Sequence, residues 1–84
     1  MSDPKPRAPR LRTILGGRIS FNEGFSTIDC VVRNLSDTGA KLALPLTVGV
    51  PDRFDLTILK TNVTRKCRLR WRREDEMGVS FEEP

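Results

Sequence analysis

A small all-β domain, six short antiparallel strands closed as a barrel or packed as a sandwich, is predicted from three features of the sequence. Apolar residues recur with period two in run after run, turn-forming residues separate the runs, and no stretch has the period of an amphipathic helix. At 84 residues the chain has room for one such domain. A domain this small buries only about 60% of the surface its unfolded chain exposes, so a ligand is expected to meet a surface and not a deep cavity.

Residues 1–12 come first and stand apart. Pro4, Pro6 and Pro9 alternate with Lys5, Arg7, Arg10 and Arg12, a composition that suits neither a helix nor a sheet ladder. The expectation is a flexible basic arm followed by a single domain over 13–84. The arm carries +3 of the chain's net +4. From Arg18 a first strand places Ile19 and Phe21 on one side, and Asn22-Glu23-Gly24 turns it into a second, where Ile28, Cys30 and Val32 alternate with polar residues. The pair reads as a hairpin. Beyond Asn34-Leu35-Ser36-Asp37-Thr38-Gly39, a third strand aligns Ala40, Leu42 and Leu44, and Pro45, Gly49 and Pro51 mark the loop that follows. A fourth strand directs Phe54, Leu56 and Ile58 inward and turns at Thr61-Asn62. In the fifth, Val63, Cys67, Leu69 and Trp71 share one phase while Thr64, Lys66, Arg68, Arg70 and Arg72 share the other. This phase assigns Trp71 to the core. A sixth strand aligns Met77, Val79 and Phe81, with no helix expected after it.

Composition narrows the function classes. There is no His and no Tyr, which removes the commonest general base, the commonest zinc nitrogen ligand and a usual base-stacking ring. No nucleophile and base can be paired, so the reading is a binding module and not an enzyme. Cys30 and Cys67, with 36 residues between them, lack the spacing of a zinc site and share the apolar phase of their strands. They read as small buried hydrophobes. No cofactor or metal is expected. The absence of an apolar leader or of eighteen consecutive apolar residues points to a cytoplasmic protein with reduced thiols and no membrane insertion.

Two features rise above this background. The first is Asn34-x-Ser36-x-x-Gly39 at a strand-to-strand corner. It offers a side-chain amide, a hydroxyl and a residue able to take positive φ, a set that can present donors and acceptors to a planar polar ligand. The same residues also make an ordinary turn when Asn and Ser bond their own backbone. The second feature is Arg65, Lys66, Arg68, Arg70, Arg72 and Arg73, a positive ridge along the fifth strand. A ridge of this kind is a solvated face that guards a strand edge, a phosphate-contacting surface, or a docking patch for an acidic protein partner.

In these residues the sequence resembles the PilZ family of bacterial receptors for the second messenger cyclic di-GMP. The family pairs an Arg-x-x-x-Arg element before its first strand with a later Asp/Asn-x-Ser-x-x-Gly, which Asn34, Ser36 and Gly39 match at every fixed position. Near the family's end a Trp precedes Gly-apolar-x-Phe, here Trp71 and Gly78-Val79-Ser80-Phe81. The resemblance implies a six-stranded barrel and a nucleotide-binding role in second-messenger signalling. By position, Arg10 and Arg7 would clamp guanine and phosphate while Asn34, Ser36 and Gly39 line the opposing surface, with the arm and a partner surface rearranging on binding. Guanidinium suits this task because it reads a guanine edge bidentately, stacks on the ring and neutralises phosphate.

The arginine element departs from the pattern. Arg10 lies 24 positions before Asn34, the family distance, but Pro6 stands four positions before it and Arg7 is shifted by one. An extended chain advances about 3.3 Å per residue, within the reach of an arginine side chain. The departure keeps a second reading open: a barrel of the same fold that binds a protein partner without the nucleotide. A small nucleic-acid-binding barrel is a third, opposed by the aromatic residues, of which Phe25 alone falls outside an apolar strand phase.

Overall fold

A computed structural model describes residues 14–82. Six strands, β1 (Leu15–Phe21), β2 (Ser26–Arg33), β3 (Gly39–Ala43), β4 (Arg53–Ile58), β5 (Val63–Arg72) and β6 (Glu76–Phe81), close into a barrel in the order β1-β2-β3-β6-β5-β4. All six pairings are antiparallel. The expected arm, with Arg7 and Arg10, lies outside the described residues.

The period-two pattern sets the inside of the barrel. Ile19, Val32, Leu42, Leu56 and Met77 are fully buried, and Cys30, Leu44, Val50, Phe54, Cys67 and Val79 complete the cluster. Each large aliphatic side chain removed from water in this way contributes about 1.5–3 kcal/mol. The β1–β2 turn uses three successive left-handed residues, Asn22, Glu23 and Gly24, and raises Phe25 to 86% exposure. Strand β1 begins three residues earlier than expected, at Leu15. Gly16 and Gly17 gave no strand signal, having no side chain to alternate. Val63 is exposed at the β4–β5 turn instead of filling the core.

Because β3 and β4 are not neighbours, residues 44–52 must cross one end of the barrel. Leu44, Thr47 and Val50 plug that end. The backbone N–H groups of Leu44 and Thr47 donate to the carbonyls of Asp75 and Glu74 (3.1 and 3.2 Å), and the Thr47 hydroxyl donates to the Arg73 carbonyl at 2.5 Å. A threonine 2% exposed is satisfied there by the β5–β6 connection.

Strand β5 departs from its expected phase after Leu69. Leu69 faces Val79 and Trp71 faces Gly78, so Arg70 is an extra residue and the strand bulges. The insertion reverses the alternation. Trp71 turns to the outer surface, 41% exposed, and is not the core residue its spacing implied. Arg72 leaves the outward ridge, and its two terminal nitrogens donate to the carbonyls of Thr47 and Val50 at 3.0 and 2.6 Å. Nor does the ridge guard a sheet edge, since β5 is paired on both sides. Its members have separate tasks: Arg65 lies over the Phe81 ring, 4.2 Å from the centroid, and Arg70 reaches Ser80.

Candidate ligand-binding site

The corner between β2 and β3 owes its shape to Asn34, which holds φ at 51°. Asn is among the few residues that tolerate this left-handed conformation. The reversal sends Leu35 against the core and leaves Asn34 and Ser36 half-buried at the surface. Ser36 then ties the turn together. Its backbone N–H donates to the Gly39 carbonyl at 2.9 Å, and its hydroxyl oxygen accepts from the N–H groups of Thr38 and Gly39, both at 3.3 Å. Gly39 plays another part than expected. It lies in β3 without a positive φ, and glycine is required because a Cβ would drive into the backbone carbonyl of Val79 on the neighbouring strand. Positive φ belongs to Asn34 instead.

Across β3 and β6 the second motif is built on the same logic. Gly78 lies on the outer face between the buried Met77 and Val79, and its missing side chain is replaced by the Trp71 indole, which rests on the bare backbone. A Cβ on Gly78 would sit 2.7 Å from Trp71 Cδ1 and closer still to other ring atoms. The guanidinium of Arg73 stands over the indole with its carbon 5.3 Å from the ring centroid, inside cation–π range.

These two motifs, distant in sequence, line one open groove of about 350 Å³. Asn34, Ser36, Thr38 and Gly39 form one side, Lys41 lies along β3, and Arg70, Trp71, Gly78 and Ser80 form the other. Lys41 is neutralised by Glu76 at 3.7 Å, whereas Arg70 donates from Nε to the Ser80 hydroxyl at 2.8 Å. The groove therefore offers an aromatic surface, an amide, hydroxyls and guanidinium N–H groups, a set suited to a flat polar ring bearing negative charge. Asn34, Ser36 and Gly39 are brought together as the sequence indicated; Arg7 and Arg10 lie outside the described residues. Trp71 and Arg70 were missed as groove residues, and the available signal was the Trp71 and Gly78 pairing, which only the bulge brings face to face.

Cys30 and Cys67 are buried unpaired thiols, away from the groove lining. Burial raises their pKa values to about 11 and about 12, with Asp29 adding to the rise at Cys30. Thiols held this far from ionisation are poor nucleophiles. Among the described residues no cluster of three or more His, Cys, Asp or Glu can hold a metal ion, and no helix is long and apolar enough to cross a membrane.

Comparison with known proteins supplies one finding. The family model of the PilZ domain matches residues 4–84, which includes both motifs of the groove. No curated protein matches the chain.

Proposed function

The chain belongs to the PilZ domain family, and on that premise we propose that it is a cytoplasmic receptor for cyclic di-GMP that acts by binding and not by catalysis. The observation that carries the reading is the meeting of Asn34, Ser36 and Gly39 with Trp71 and Gly78 in one groove. Guanine packs at the exposed part of the Trp71 indole, beside the Arg73 guanidinium that stands over the ring, the Asn34 amide and neighbouring hydroxyls meet polar edges, and Arg10, with Arg7 beside it, holds guanine and phosphate. The position of β1 supports this part for the arm: Leu15 pairs with Val32, two residues before Asn34, so β1 begins at the groove's end. Ligand binding then reorganises residues 1–12 and the surface a partner protein meets, at an ordering cost that lowers net affinity.

Titration calorimetry of the chain with cyclic di-GMP, with Trp71 fluorescence followed in parallel, tests the reading. Saturable binding that quenches or shifts Trp71 emission is expected. Arg10→Ala should weaken it by about 1.5–3 kcal/mol, the scale of a hydrogen bond to a charged group, and Arg10→Lys should recover little because the planar fork is lost. Silence at high micromolar ligand overturns the reading. It would favour the second one, a barrel that docks an acidic protein partner, which the displaced Arg7 motivates and for which exposed Lys66 and Arg68 on β5 are the contact residues.

A further inference from the structure

We propose that the groove contains an anion subsite centred on Arg70, which takes a phosphate group of the bound nucleotide; the identity of that nucleotide rests on the cyclic di-GMP reading. Arg70 is the residue the β5 bulge inserts, so no cross-strand neighbour stands opposite it. Its Nε donates to Ser80 at 2.8 Å, which fixes the guanidinium plane on the groove wall. That bond occupies one of five N–H donors and leaves the terminal amino groups to make a bidentate contact. Charge singles out the same residue. Lys41, the other cation lining the groove, is paired with Glu76, while among the described residues no carboxylate pairs with Arg70.

A second groove of similar volume makes a useful contrast. Its Arg53 is paired with Glu82 at 3.5 Å, and Lys66 shares the lining with Asp55, so both signs are present and no net attraction for an anion results. Arg70 instead lines one groove with Trp71, whose ring is flanked by the Arg73 guanidinium, so positive charge and an aromatic surface meet there in the combination that a phosphorylated purine complements.

The test follows the Arg70 Nε–H and Trp71 indole N–H resonances of the whole labelled chain during separate titrations with inorganic phosphate, guanosine and cyclic di-GMP. Phosphate and cyclic di-GMP should shift Arg70, and guanosine should shift Trp71 while leaving Arg70 in place. Arg70→Gln should weaken cyclic di-GMP binding about tenfold or more and flatten its salt dependence, with guanosine unaffected. Ser80→Ala, which frees the guanidinium but keeps its charge, should cost about threefold. Equal affinity and equal salt dependence in Arg70→Gln would overturn the subsite. If phosphate shifts Arg70 but cyclic di-GMP does not bind, the subsite stands and the receptor reading fails; if cyclic di-GMP binds with Arg70 unmoved, the subsite alone fails.

Discussion

Strand β5 contains two regions that behave differently, one on either side of Leu69. From Val63 to Arg68 it pairs regularly with β4, Cys67 points inward, and exposed cations alternate with it. From Arg70 to Arg73 the alternation fails, and every side chain takes a specific partner: Ser80 for Arg70, the Gly78 backbone for Trp71, two loop carbonyls for Arg72, the indole for Arg73. The regular half builds the wall. The irregular half shapes the groove and locks the loop that closes the barrel. Where side chains only need to be inside or outside, period two suffices; where they need particular neighbours, the backbone departs from it.

The largest expected effect would sharpen this contrast from the regular side. Leu56→Ala empties a fully buried position on β4 and should cost about 2–5 kcal/mol of stability, measured by urea denaturation, with ligand affinity in the folded fraction unchanged. A selective loss of affinity with unaltered stability would mean that wall and groove are not separate. Gly39→Ala tests the irregular side. Its Cβ meets a backbone carbonyl that cannot rotate away, so about 1–3 kcal/mol should be lost, and the groove should open as β3 and β6 part. Here calorimetry should show binding falling more than stability.

Thr47→Val keeps the shape of the loop and removes one donor. The Arg73 carbonyl it served is left unsatisfied, and about 1–2 kcal/mol should go with it. Near-wild-type melting would show that Arg72 and the backbone bonds of Leu44 and Thr47 hold the loop without the hydroxyl. The smallest effect is on pH dependence. Burial raises both thiol pKa values above the ordinary 9.0, to about 11 and about 12, so the folded state keeps protons that the unfolded chain loses. Their stabilising contribution is complete below pH 9 and is lost as pH rises toward the folded values. Stability curves from pH 8 to 10.5 should bend downward above pH 9, and less so in Cys30→Ala.

Much of this architecture is legible in the sequence alone. The runs Ile28-Cys30-Val32, Phe54-Leu56-Ile58 and Met77-Val79 fill the core because alternation is a local property of each strand. Asn34, Ser36 and Gly39 were legible as a group because they occupy one turn. Three things were not. The start of β1 was hidden by Gly16 and Gly17, which pair through backbone alone. The reason for Gly39 lies on another strand, at Val79. The bulge at Arg70 reflects a register between β5 and β6 that no local pattern encodes, and it reassigns Trp71 and Arg72 together.

Closure of the barrel also sets a kinetic demand on the chain. The β1–β2, β2–β3, β4–β5 and β5–β6 hairpins can form locally, but closure requires Gly17 to find Ile58 and Gly39 to find Ser80. Until both searches succeed, β1, β3, β4 and β6 each keep an unpaired side. Loop-closure entropy is spent before these distant pairings return any contact energy, which places folding in the millisecond-to-second regime of all-β topologies. During that interval the cationic face of β5, Lys66 and Arg68 foremost, lies on a hairpin whose outer neighbours have not yet assembled, and mutual charge repulsion there discourages two nascent chains from pairing with each other.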